Sequence, residues 1–105
     1  MNVVVIGASG YVGAELIALL TQHNKISIQH LLVSENSASS GKTFAQLHAR
    51  WQGICTLPLQ AFSAPWFEQH ISLVEHNIAA VFFATPHQFS AQWAQAFLDN
   101  GIKVF

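Results

Sequence analysis

The 105-residue chain is 51% hydrophobic yet only 9% charged, against roughly 25% charged in an average soluble domain. Four Lys and Arg against five Asp and Glu leave a formal net charge of -1, which excludes a highly charged disordered tail and offers no basic patch to neutralise nucleic-acid phosphates. The lone Cys55 excludes an intramolecular disulfide framework. No apolar run nears the ~18 residues of a membrane span, and no secretory signal opens the chain. The expectation is one cytoplasmic globular domain over residues 1–105 with no membrane or nucleic-acid partner.

In chain order, Val3-Val4-Val5-Ile6 is a β-branched run without alternation, as in a parallel strand buried on both faces. Gly7-Ala8-Ser9-Gly10 breaks it. Val12, Leu16, Leu19 and Leu20 then recur at helical spacing, predicting an amphipathic helix from Tyr11 to about Gln22 with those residues on its apolar face. Ile26 to Val33 is expected as a second strand and Ser34 to Gly41 as a polar loop, giving a right-handed βαβ crossover unit.

The middle is less patterned. Lys42 to Trp51 is expected as a short helix and Thr56 to Leu59 as a short strand disturbed by Pro58. Pro65 suits the first turn of a helix running toward Glu75. Ile78 to Ala84 is a continuous apolar strand ended by Thr85-Pro86-His87. Phe89, Trp93 and Phe97 form a stripe at spacing four, expected to face the sheet. Gly101 stands where a helix C′ glycine belongs, and Ile102 to Phe105 restarts an apolar strand. An apolar strand reaching the last residue predicts a fragment of a longer chain, and the sparse charge predicts self-association into a homo-oligomer.

The fold class implied is α/β: an incomplete Rossmann domain, an open and mainly parallel sheet with helices on both faces. Gly7, Gly10 and Gly13 make a G-x-x-G-x-x-G loop directly after a strand and opening a helix. Glycines there permit a tight turn and close backbone approach to a pyrophosphate, which the free N–H groups of the helix N-terminus attract. Strand, loop, helix and second strand together point to dinucleotide binding. Glu35 lies about 20 residues past the glycines, where an acidic side chain favours NAD. Ser34, Ser37, Ser39, Ser40 and Lys42 crowd the same loop and suit the 2′-phosphate of NADP. From these residues alone the two cofactors remain open.

Other chemistries are disfavoured. The six histidines show no metal-ligand spacing and have no cysteine companion. Three tryptophans and eight phenylalanines, without positive charge, suit a core rather than nucleic-acid stacking. A short-chain epimerase needs a Tyr-x-x-x-Lys pair, and the only tyrosine is Tyr11.

The run Gly7 to Leu16, the segment Ser34 to Lys42, Leu47-His48, Ala84-Thr85-Pro86-His87 and Gly101 to Phe105 occur in an order that resembles the N-terminal cofactor-binding part of N-acetyl-gamma-glutamyl-phosphate reductase. The glycine motif alone is shared with aspartate-semialdehyde dehydrogenases. Ala49 departs from the proline more usual in the family after the Leu-His pair. The resemblance implies NADPH-dependent reduction of N-acetyl-L-glutamyl 5-phosphate to the 5-semialdehyde in arginine biosynthesis. A cysteine thiolate attacks the acyl phosphate, phosphate leaves, and hydride reduces the thioester. In the family that cysteine follows glycine and precedes Tyr-Pro-Thr, a segment absent from this sequence. Cys55 lies in Gly53-Ile54-Cys55-Thr56-Leu57-Pro58 and is expected to be a small buried hydrophobe. The chain alone is therefore expected to be inactive, with no catalytic residue.

Carried over residue by residue, the resemblance assigns Gly7, Ser9, Gly10, Tyr11, Val12 and Gly13 to the pyrophosphate loop. It assigns Ser34, Ser37 and Lys42 to the adenosine ribose and its 2′-phosphate, and so selects NADP. Ala84, Thr85, Pro86 and His87 fall in the turn after the fourth strand. Two alternatives stand beside it: an aspartate-semialdehyde dehydrogenase-like cofactor domain, and a non-catalytic module that senses a dinucleotide.

Overall fold

The computed structural model describes residues 1–8, 10–34, 41–42 and 57–105. Five strands form one all-parallel sheet in the order β3-β2-β1-β4-β5: β1 (Asn2–Ile6), β2 (Ser27–Val33), β3 (Leu59–Ala61), β4 (Ile78–Phe83) and β5 (Lys103–Val104). Helix α1 (Tyr11–Thr21) joins β1 to β2. Helix α2 (Ala64–Phe67), continued by a π turn (Glu68–Ser72), joins β3 to β4, and α3 (His87–Asp99) joins β4 to β5.

The unalternating Val3-Val4-Val5-Ile6 run is explained by two cores. Val3 and Val5 join Ala14, Ile17, Leu20, Leu31 and Val33 on the α1 side. Val4 and Ile6 join Phe62, Trp66, Phe67, Ile71, Phe97 and Ile102 on the other. Successive strand side chains point to opposite faces, so a central strand covered on both sides must be apolar at every position. One irregularity changes the alternation. Val3 pairs with Ile28 but Val4 pairs with His30, so Gln29 is an extra residue in β2. Ile28 then faces the α1 layer and His30 the aromatic one.

Helix α1 has the expected bounds but is turned differently. Gly13, Ala14, Ile17, Ala18 and Leu20 are its buried residues. Val12 is 72% exposed and Leu19 64%, while Leu16 is half-buried, so only Leu20 of the expected face is fully inside. The glycine loop decides this rotation. A Cβ on Gly13 would stand 2.2 Å from the Gly7 carbonyl oxygen. The helix therefore approaches the strand end through its smallest residues and turns larger ones outward.

Two middle elements are shifted. The third strand runs from Leu59 to Ala61; of the expected Thr56 to Leu59 segment, Thr56 lies outside the described residues, and Pro58, with no N–H to give a ladder, stands just before the strand. Ser63 caps α2, its Oγ accepting the Trp66 N–H at 3.2 Å, with Pro65 in the first turn as expected. That helix ends at Ser72, short of Glu75, as the last turn widens and the Leu73 N–H reaches the Glu68 carbonyl. The expected helix from Lys42 to Trp51 lies, apart from Lys42, outside the described residues, as does Cys55.

Helix α3 buries the expected stripe. Phe97 is fully buried, and Phe89 and Trp93 pack against the same core. Its end is a Schellman motif: Gly101, at φ +77°, donates to Leu98 O, and Ile102 N–H reaches Phe97 O. Ile102 and Phe97 supply the accompanying apolar contact.

Candidate functional site

The carboxyl ends of the central strands open into a cleft of about 710 Å³. It lies where the chain leaves β1 toward β2 on one side and meets β4 on the other. Open parallel sheets bind ligands at this switch point. Gly7 and Gly10 of the glycine loop, Ser34 after β2, and Ala84, Thr85 and Pro86 after β4 line it. Phe62, Ser63 and Ala64 follow β3 into it, and Phe89, Gln92 and Trp93 reach it from α3.

The three glycines have different duties. Gly7, at φ +97°, lies so close to β4 that a Cβ would stand 2.3 Å from Ala84 O. Its N–H donates to Leu32 O at 2.8 Å, and the Ala84 N–H donates to Ile6 O at 2.8 Å, binding the loop to both neighbouring strands. Gly13 is required by helix packing. Gly10 differs from both: its φ is -85°, and a Cβ there meets nothing nearer than Gly7 O at 3.9 Å. The fold does not need glycine at position 10, yet that residue lines the cleft. It is also the N-cap of α1 and has no side chain to satisfy the first-turn N–H groups. A bare helix N-terminus beside an open glycine is a suitable seat for a pyrophosphate, and the residues present fit a dinucleotide in this respect.

Of the residues singled out in the sequence, Gly7, Gly10, Ser34, Ala84, Thr85 and Pro86 come together at the cleft. Gly13 is buried beneath it as a packing residue. Tyr11 and Val12 lie on the first turn of α1 with exposed side chains. His87, expected in a turn, is instead the first residue of α3, exposed and outside the cleft lining. Pro86 fixes this, since its φ of -56° and ψ of 148° place it as the helix N-cap. Lys42 is exposed and also outside the lining; its carbonyl accepts the Leu59 N–H at 2.7 Å. Ser9 and Ser37 lie outside the described residues.

Sequence reasoning missed Phe62, Ser63, Ala64 and Gln92, and assigned Phe89 and Trp93 to the core alone. The Ser63-Ala64-Pro65 capping signal was available, and it marks where the chain crosses the sheet edge after β3. Phe89 and Trp93 are half-buried because they serve core and cleft together, with Phe62 and Trp93 edge to face at 4.8 Å.

Among the described residues one titratable group is shifted, and it lies away from the cleft. His30 is held below the ordinary 6.5 chiefly by burial, against a hydrogen bond from its Nδ1 to the Gln60 side-chain oxygen that raises it, with a smaller lowering from the nearby His70. His30, Trp66 and His70 form a ring cluster, with His70 stacked on Trp66 at 4.5 Å. Among the described residues no group of three or more His, Cys, Asp or Glu could hold a metal ion. Nor is any described helix long and apolar enough to cross a membrane.

Residues 2–105 match the family described as semialdehyde dehydrogenase, NAD binding domain, and the chain belongs to that family. Its relatives are more particular. It is 39% identical over 105 residues to the N-acetyl-gamma-glutamyl-phosphate reductase of Buchnera aphidicola subsp. Schizaphis graminum, covering 100% of this chain and 30% of that protein. It is 40% identical over the same span to the enzyme of that name from Escherichia coli O157:H7, again 30% of its length. Among solved structures, aspartate semialdehyde dehydrogenase with NADP from Candida albicans superposes with a TM-score of 0.68 at 23% identity, covering 98% of this chain and 28% of that one. Aspartate semialdehyde dehydrogenase II from Vibrio cholerae, complexed with ASA, gives 0.66 at 25%, over 98% and 29% of the two chains. The chain thus spans about 30% of the length of the curated relatives it matches.

Proposed function

We propose that this chain is the NADP-binding part of an enzyme that reduces N-acetyl-L-glutamyl 5-phosphate to N-acetyl-L-glutamate 5-semialdehyde in arginine biosynthesis. The observation that carries the cofactor part is the open Gly10 at the mouth of the cleft, a glycine the packing does not require. The substrate is supported by about 39–40% identity to N-acetyl-gamma-glutamyl-phosphate reductases over the whole chain. The aspartate semialdehyde dehydrogenase structures give 23–25%. The dinucleotide, when bound, supplies the hydride.

In this reading the N–H groups of Tyr11, Val12 and Gly13 hold the pyrophosphate, with Gly7, Ser9 and Gly10 shaping the loop. Ser34, Ser37 and Lys42 receive the 2′-phosphate, and Ala84 to Pro86 close over the other half of the cofactor. His87 stays at the margin of the site. The protein works in the cytoplasm as a homo-oligomer. No reduction is expected from the chain by itself, because Cys55 lacks the Tyr-Pro-Thr continuation of the family's nucleophile.

Calorimetric titration of the chain with NADPH and NADH tests the cofactor choice. Tighter binding of NADPH is expected, and Lys42→Ala should weaken NADPH by about 10-fold, one charge-assisted hydrogen bond, while leaving NADH nearly unchanged. Equal losses for the two cofactors would remove Lys42 from the 2′-phosphate site.

A further inference from the structure

We propose that Gln92 reads the base of the bound dinucleotide: an adenine lies against Phe89 and Trp93, and the Gln92 carboxamide pairs with its N6 amine and N7. This rests on the dinucleotide reading above and adds to it the residue that selects the base. Ser34 follows β2 directly and lines the cleft, at the position where Rossmann domains meet the adenosine ribose. Phe62, Ser63 and Ala64 follow β3, the strand beyond β2 in the sheet. In that reading this end of the cleft is the adenosine side, and the base belongs there.

The rings suit a base by shape and by charge. Phe89 and Trp93 stand one helical turn apart on α3, both half-buried, so each keeps ring surface for the cleft. Phe62, almost fully buried, meets Phe89 at 5.7 Å and Trp93 at 4.8 Å, edge to face in both cases, and holds the two rings in place. No described residue lining the cleft is charged, so the ring wall offers stacking to a flat neutral ring and no counter-charge to an anion. Gln92 lies beside Trp93 and one turn after Phe89 on the same side of the helix. It lines the cleft and forms no hydrogen bond among the described residues, whereas Gln95 is tied to Asp99 Oδ1 at 2.8 Å. A free carboxamide presents one donor and one acceptor side by side, a pattern that adenine answers with N7 and its N6 amine. Hypoxanthine carries acceptors at both places, O6 and N7. Whichever way the carboxamide is turned, its oxygen then faces another acceptor, so the preference for adenine holds for either orientation of the amide.

The test titrates the chain calorimetrically with NADP, with its hypoxanthine analogue and with adenosine 2′,5′-bisphosphate, which lacks the nicotinamide half. The wild type is expected to bind NADP about 10-fold more tightly than the analogue, the worth of one hydrogen bond. Gln92→Ala should lose about 10-fold for NADP and for the bisphosphate alike, leave the analogue nearly unchanged, and so bring the ratio between the dinucleotides close to one. Its Tm should match that of the wild type, because the side chain is exposed and makes no hydrogen bond among the described residues. Phe89→Leu keeps apolar bulk against the core and removes a stacking surface. It should weaken NADP and the analogue by the same factor, about 10-fold, because stacking does not read the edge of a base.

NADP binding by the wild type with no preference over the analogue overturns the inference and leaves the dinucleotide reading standing. So does a preference that Gln92→Ala preserves, or a loss seen with NADP and not with the bisphosphate, which would put Gln92 at the nicotinamide end. A folded Phe89→Leu chain with wild-type affinity for both dinucleotides removes the base from the ring wall and overturns it too. A folded wild-type chain that binds none of the three ligands removes the dinucleotide reading, and this inference with it.

Discussion

The two faces of the sheet are built from different materials. The α1 face is thin and aliphatic: Gly13, Ala14 and Ala18 let the helix sit against the strand ends, with Ile17 and Leu20 filling the remainder. The opposite face is thick and aromatic, with Phe62, Trp66, Phe67, Trp93 and Phe97 in mutual ring contact. The difference follows from what each face must do at the cleft. Close approach on the α1 side brings a bare helix N-terminus over the end of β1, where a negative charge is stabilised. On the other side Phe62, Phe89 and Trp93 form a wall of rings along the cleft. The thin face supplies the electrostatics and the thick face an apolar wall.

The comparison can be broken from either side. The largest effect is expected on the thin face. Gly13→Ala puts a Cβ 2.2 Å from backbone at Gly7 that cannot move independently. Overpacking of this kind should cost about 3 kcal/mol or more, a large share of a domain's total stability. Urea unfolding would show it as a lowered midpoint, and an unchanged midpoint would contradict the close approach. On the thick face Phe97→Ala leaves a cavity at a fully buried ring. It should cost about 3–5 kcal/mol if the wall is rigid, and less if the neighbouring rings collapse into the space. The size of that loss measures how solid the wall is.

The smallest effect concerns acid. His30 binds a proton less readily in the folded chain than in the unfolded one, because burial opposes its charge. Its contribution to stability is thus complete above the unfolded value of about 6.5 and is lost as pH falls below it toward the lower folded value. His30→Phe keeps a ring against Trp66 and should flatten that part of the stability–pH curve. The same slope in both chains would contradict the assignment.

Much of this architecture was legible in the sequence. β1, β2, β4, α1 and α3 are marked by unbroken apolar runs or helical spacing; the first four lie within a residue or so of their expected bounds, and α3 carries the expected stripe and ends before Gly101. Gly101 was recognisable because only a left-handed residue ends a helix that way. The facing of α1 was not legible. Hydrophobic spacing favours Val12, Leu16 and Leu19, but the distance to Gly7 rewards small residues instead, and that distance is a tertiary fact. Within the cleft, the glycine loop and the Thr85-Pro86 turn could be read from local chemistry. Phe62, Ser63 and Gln92 could not, since the sheet order β3-β2-β1-β4 brings them in from distant parts of the chain. The change of face at Gln29 was equally hidden, because a bulge leaves no periodic mark in so short a strand.

The central claim is that the glycine loop is a ligand seat whose Gly10 is kept open for a dinucleotide and not for the fold. It is tested most directly by Gly10→Val, measured for thermal stability and, by calorimetry, for NADPH binding. The account predicts a folded chain with a Tm close to that of the wild type, since a Cβ at position 10 meets nothing within 3.9 Å, and complete loss of NADPH binding. A folded variant that binds NADPH as the wild type does would contradict it.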